Sequence, residues 1–283
     1  MRQFKEAGMQ ALFFLMACLS IFSVLLICSF LFSEGVPGIQ KIGWLRFITG
    51  LEWRPSNQIF GIFPMIVGSI YVTCGALLVG VPIGIMTAVF LAYFCPEKWY
   101  SILKRTVHLM AGIPSVVYGF FGLVVLVPLV RSYVGGHGMG VFTASMLLGI
   151  MILPTIINVS ESSLRSVSPA YYQGGLALGA SHERSVFFIV LPAARRGIVA
   201  SIILGLGRAM GETMAVMMVA GNQAILPHSI TSGVRTLTTN IVMEMGYSTD
   251  LHREALIGTA VVLFVFILCI NLLFYGLYKK EEG

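Results

Sequence analysis

Charge is scarce in this chain. Asp, Glu, Lys and Arg make up 11% of its 283 residues, whereas a water-soluble domain of this length carries about a quarter. With 57% hydrophobic residues and a mean hydropathy of +0.89, that scarcity excludes a soluble globular enzyme and puts the chain in a bilayer. The five cysteines (Cys18, Cys28, Cys74, Cys95, Cys269) fall in or at the ends of apolar runs without CxxC spacing. They read as small buried hydrophobes, which excludes a disulfide framework and a thiolate metal site. No cluster of His, Cys and carboxylate suggests a metal. The phosphate cradle G-x-x-x-x-G-K-[ST] is missing, because no Gly is followed by Lys. Internal repeats, low-complexity stretches and a second, soluble domain are also missing.

Long apolar runs are what the sequence does have. Six of them, at about 11–32, 66–94, 107–130, 141–159, 198–220 and 256–278, are long enough to cross a bilayer. They lack the period-2 alternation of barrel strands, so they predict helices, the only other element that satisfies its own backbone in lipid. Pro82 predicts a kink in the second span, and Gly112 and Pro114 a disturbed start to the third. The first run follows Arg2 and Lys5 like a secretory signal. It is longer than a signal core and no A-x-A-like site follows, so an uncleaved first span is expected.

The net charge of +6 is explained by topology and requires no nucleic-acid partner. Eleven Lys and Arg lie in the N-terminus, the 95–106 and 160–197 loops and the C-terminus, against six in the other three loops. The positive-inside rule then expects both termini in the cytoplasm. Two outer loops, 33–64 and 221–255, are longer than connection requires; the first is expected to be amphipathic or irregular. Gly135-Gly136-His137-Gly138 reads as a flexible turn and His108 as an interfacial residue.

Arg208 and Glu212 stand near the middle of the fifth run. A guanidinium at the midplane costs at least about 2.5–3.5 kcal/mol and cannot escape by losing its proton. Four residues apart, the two are expected on one helix face, in a stripe with Ser201, Gly205, Gly211 and Ala215 that suits helix packing or a cavity wall. Two readings are open: an internal ion pair that locks the bundle, or a site where Glu212 holds Arg208 until an anion displaces it. Arg before Glu is the weaker order for a helix pair, and a planar fork suits an oxyanion, which favours the second. Glu212 is the only carboxylate expected within a span, so no proton relay is visible and the energy must come from elsewhere.

In the 160–197 loop, Gln173-Gly174-Gly175 is followed after three residues by Gly179, and after nine more by Ile189-Val190-Leu191-Pro192. This resembles the E-A-A, three residues, G, nine residues, I-x-L-P signature of bacterial ABC-importer permeases, with Gln173 in place of Glu and Gly174-Gly175 in place of two Ala. The stretches 111–119 (AGIPSVVYG) and 205–216 (GLGRAMGETMAV) resemble the phosphate-specific permeases of the PstC family. The resemblance implies an all-α integral-membrane chain with the type I ABC importer permease fold, residues 1–283 forming one permease domain in a bacterial cytoplasmic membrane. It assigns Arg208 and Glu212 to the phosphate pathway and Gln173, Gly174, Gly175, Gly179, Ile189, Leu191 and Pro192 to a coupling loop that docks on an ATPase. Gly179 would turn the chain between two short helices. The implied partners are a homologous second permease, two cytoplasmic ATPases that carry ATP and Mg, and an extracytoplasmic phosphate-binding protein. This chain itself would bind no cofactor and catalyse no reaction. A second substrate cation is expected from the partner permease. Import of sulfate or molybdate, secondary anion transport and a purely sensory role remain the alternatives.

Overall fold

The computed structural model describes the backbone of residues 2–280 and the side chains of residues 9–273. The basic residues expected at the two termini, and the end of the sixth span beyond 273, lie outside the described side chains. Nearly everything is helical. Helix α1 (Arg2–Ile42) leads to the short α2 (Trp44–Thr49) and a small hairpin, β1 (Trp53–Arg54) with β2 (Ile59–Phe60), paired Trp53 to Phe60. Then come α3 (Phe63–Val89), α4 (Glu97–Gly112), α5 (Ser115–Phe121), α6 (Val127–Tyr133) and α7 (Val141–Ser166). Helices α8 (Pro169–Ala177), α9 (His182–Ser185) and α10 (Leu191–Ala193) form the segment before α11 (Arg195–Gly211). The chain ends with α12 (Met214–Val219), α13 (Leu237–Met245) and α14 (Asp250–Lys280).

Five described stretches are long and apolar enough to cross a bilayer unaided: 9–42, 63–94, 115–133, 141–166 and 250–273. The sixth is interrupted, because residues His182–Ala193 meet α11 at a bend of 68°. Several expected boundaries are thereby corrected. The third span starts at Ser115, not 107, because Ile113 precedes Pro114 and is extended (φ −70°, ψ 126°), the conformation favoured before proline. Residues 107–112 therefore close the separate helix α4. The fourth span runs past 159 to Ser166. Pro82 sits inside a helix that continues without a break, and the ladder changes register only at Phe90–Phe94, a π turn.

Helix α7 is the hub. Ala144, Leu147, Leu148, Met151, Ile152 and Ile156 on it are buried against α3, α11 and α12. Gly80 and Gly84 bring α3 close: a Cβ on the first would stand 2.8 Å from Ile152 Cδ1, and on the second 2.7 Å from Ile156 Cγ2. Between membrane helices there is little hydrophobic driving force, so such a small-xxx-small approach supplies the packing. Gly80→Leu is therefore expected to destabilise the fold by about 3 kcal/mol through overpacking. Gly246→Leu, at a position where a Cβ meets nothing within 4 Å, should stay within about 0.5 kcal/mol. Thermal unfolding in detergent compares them.

The long connection over 33–64 is more ordered than expected. Phe47, Trp53, Phe60 and Ile62 from it join Ile39, Leu237, Ala255 and Leu256 in a second core, so apolar side chains spread over four segments fold it. Helix α1 meets that core only at its end. From 9 to 30 it carries no buried side chain, leaving an apolar surface for lipid or another membrane helix.

Candidate translocation site

The span that carries Arg208 and Glu212 is not one helix. Helix α11 ends at Gly211, and Glu212 is extended (φ −71°, ψ 131°). Thr213 follows at φ −121°, before α12 begins. The expected continuous helix over 198–220 and the shared i, i+4 face are both corrected by this break. Its local cause is visible in the capping. The Glu212 carboxylate turns away from α11 and accepts a hydrogen bond from the Ala215 backbone N–H (3.1 Å), satisfying a free donor in the first turn of α12. The Glu212 carbonyl accepts the Thr238 hydroxyl (3.0 Å), which ties the break to α13.

Arg208 is left without a carboxylate. Its Nη1 donates to Thr155 Oγ1 on α7 at 3.3 Å, and among the described residues no ion pair joins it to Glu212. The internal pair expected from the sequence is therefore absent from this conformation. The stripe around Arg208 divides between two surroundings. Ser201 is buried with its hydroxyl 2.8 Å from that of Ser160, and a Cβ on Gly205 would meet Ile156 at 3.1 Å, so this part packs on α7. Gly207 and Gly211 face open space within this chain. Arg208 lies between them, half-buried, with four of its five N–H donors unassigned.

A second charged cluster escaped the sequence reading because the fourth span was ended too early. Glu161, buried within α7, accepts from Lys104 Nζ (2.5 Å), the Tyr100 hydroxyl (2.7 Å) and Arg165 Nε (2.9 Å). Glu212 is thus not the only carboxylate in a span. The signal was there: Tyr100 and Lys104, and Glu161 and Arg165, are i, i+4 pairs on two amphipathic stretches.

Within 160–197 the short helices α8 and α9 flank a glycine turn. Gly179 has φ +86°, a backbone conformation open to glycine at no steric cost. Gly175 is buried, and a Cβ there would stand 2.6 Å from Ile189 Cδ1, so the close approach of the two halves explains glycine where the signature has alanine. Gln173 and Gly174 on α8, and Pro192 at the start of α10, are exposed, while Ile189 and Leu191 are half-buried. Ser168 and Ser181 cap α8 and α9 by accepting from Ala170 N (3.4 Å) and Arg184 N (3.3 Å). The tip carries Leu178, 92% exposed, beside exposed Tyr171 and Leu176.

Residues 80–280 match the family described as the inner membrane component of binding-protein-dependent transport systems. The chain belongs to that family. As a permease of this family, it is a multi-pass membrane protein. It is 36% identical over 253 residues to a probable ABC transporter permease, YqgH, of Bacillus subtilis, covering 84% of this chain and 82% of the relative. It is 31% identical to the phosphate transport system permease PstC of Mesorhizobium japonicum, over 83% of this chain and 78% of that one. The same identity holds for PstC of Pasteurella multocida, over 84% and 81%. Among solved structures, the permease resembles a chain of the inward-facing MetNI methionine ABC transporter (TM-score 0.62, 18% identity, 81% of this chain and 99% of that chain). It also resembles a chain of a bacterial alginate ABC importer (TM-score 0.60, 14% identity, 94% and 96%). The fold is that of a type I ABC importer permease.

Proposed function

We propose that this permease moves inorganic phosphate inward across the bacterial cytoplasmic membrane by alternating access, driven by separate ATPase subunits. The observation that carries the reading is Arg208, a permanent cation at a break in a membrane span, held by one hydroxyl and no carboxylate. Such a guanidinium would be relieved of much of its desolvation penalty by an arriving oxyanion, which it can grip with two parallel N–H bonds. Sequence similarity to phosphate transport permeases narrows the oxyanion to phosphate. The face bearing Gly207 and Gly211 would line the path, and a second, homologous permease would close it and add a further cation.

In this reading the α8–α10 segment lies in the cytoplasm and couples to the ATPase through Gln173–Gly175, the Gly179 turn and the Ile189–Pro192 return. Both termini lie on that side, and an extracytoplasmic binding protein delivers the anion to the other. The ATP and Mg stay on the partner. The exposed Leu178 tip is an apolar knob of the kind a protein cleft accepts. Burying it contributes about 1.5–3 kcal/mol, so Leu178→Glu is expected to weaken ATPase binding by about tenfold or more. The fold should be undisturbed, and titration of the ATPase against the solubilised permease measures the difference.

The decisive experiment reconstitutes the permease with its partner subunits in liposomes and asks which anion, presented by its binding protein, stimulates ATP hydrolysis and accumulates inside. Phosphate is the expected answer. Stimulation by sulfate or molybdate instead would transfer the site to another oxyanion. Uptake without ATP would overturn the energy source.

A further inference from the structure

Helix α7 carries a polar stripe that continues beyond the Arg208 contact towards α8. Thr155 meets Arg208, and Asn158 Oδ1 accepts from Lys104 Nζ at 2.8 Å. Glu161 Oε2 accepts from the same ammonium at 2.5 Å. At 1.5 Å rise per residue, Asn158 lies about 4.5 Å and Glu161 about 9 Å along the helix from Thr155. Thr155, Asn158 and Ser162 share one face by their three- and four-residue spacing. None of the three is buried, whereas Ile152, Ile156, Ile157 and Leu164 on the other faces are.

The charge on this cluster is unbalanced. One carboxylate, Glu161, sits between two cations, Lys104 and Arg165, so the group holds a surplus of one positive charge. Arg165, its side chain 47% exposed, also donates to the Leu91 carbonyl (2.9 Å) and lies over the Tyr100 ring, while Lys104 is the cation that reaches the Asn158 face. Lys104 has three N–H donors and spends two, and its side chain is 23% exposed. A pair serving only to lock α4 to α7 would need neither the extra cation nor the open polar face beside it.

We propose that Lys104, with Asn158 beside it and Ser162 one turn further on the same face of α7, forms a second oxyanion station, which receives the anion from Arg208 and passes it towards the α8 side. This rests on the transport path proposed for Arg208. An anion leaving one isolated cation inside a membrane faces the whole desolvation barrier in a single step. A second cation one to two helical turns further divides that step.

The test measures ATP-driven uptake of radiolabelled phosphate by the whole reconstituted complex, normalised to assembled complex. Lys104→Gln is expected to slow uptake by about tenfold, while Lys104→Arg, which keeps the charge, retains most of it. The double variant Lys104→Gln/Glu161→Gln removes the carboxylate that needs neutralising and should remain slow. Restored uptake in that double variant would show that Lys104 merely neutralises Glu161 and would overturn the proposal, as would normal uptake by Lys104→Gln alone. If Lys104→Gln fails to assemble, the double variant, with neither half of the pair left, carries the test. Arg208→Gln measured alongside separates the two readings. Normal uptake there sinks the path itself, whereas an inactive Arg208→Gln beside a normal Lys104→Gln sinks only the second station.

Discussion

Arg208→Gln is expected to abolish phosphate uptake, by about 100-fold or more, while leaving the complex assembled. The size follows from geometry. A guanidinium offers an oxyanion paired, charge-assisted hydrogen bonds inside a low-dielectric path, where removing one such donor from a preorganised site costs about 100- to 1,000-fold. The survival of the fold follows from how little Arg208 does for it. Its one hydrogen bond is to Thr155 at 3.3 Å, and no carboxylate would be orphaned by its loss. Removing the charge also relieves the about 2.5–3.5 kcal/mol that it costs to hold a cation at mid-membrane, so yield should be equal or better.

Two companion variants divide the effect. Arg208→Lys keeps a point charge without the fork and should retain about a tenth of the rate. Glu212→Gln keeps an oxygen that can accept from Ala215 N, so the break survives and uptake should fall by only about threefold to tenfold. If Glu212→Gln were as damaging as Arg208→Gln, an ion pair made elsewhere in the cycle would be indicated, and the unpaired arginine seen here would be one state of two. Uptake assays in proteoliposomes, with ATPase binding as the assembly control, decide among these outcomes.

What the sequence disclosed about this site depended on how local the cause was. Apolar runs without alternation predict spans, because the bilayer leaves helices as the remaining choice. Arg208 was legible because a cation in such a run is costly and must be offset, by an ion pair or by an anion. The turn at Gly179 was legible because positive φ has a residue preference. The break at Glu212 was not. Gly211 and the β-branched Thr213 permit it, but the Ala215 N–H and Thr238 hydroxyl that hold it lie outside any periodic pattern, Thr238 on an element 26 residues on. Glu161 was hidden by a boundary set at 159, where apolar residues stop, although the helix continues to Ser166. Its stabilising partners Tyr100 and Lys104 come from α4, and hydropathy reports nothing about ion pairs between helices.

The largest stability effect is expected from Glu244→Ala, at the other end of α13 from the Thr238 contact. Glu244 is 6% exposed and joins four segments around the second core. Its Oε1 accepts from Arg235 Nη1 (2.6 Å), and its Oε2 accepts from Trp53 Nε1 (2.7 Å) and lies 2.9 Å from His252 Nε2. Trp53 belongs to β1, Arg235 to the loop before α13, and His252 to the first turn of α14. Arg235 is also fixed through Nε to the Asn222 carbonyl (3.0 Å) and through Nη1 to Asn240 Oδ1 (3.1 Å), so it cannot follow its charge out to water. Truncating the carboxylate leaves this mostly buried guanidinium and the indole N–H uncompensated, at about 3–5 kcal/mol. In a protein of this size that corresponds to about 10 °C in Tm. Removing both charges in Glu244→Ala/Arg235→Met should recover part of the loss, because the orphaned cation goes with its partner. Calorimetry or thermal shift on the purified complex checks both. A Tm change under 2 °C for Glu244→Ala would mean that water reaches the cluster freely.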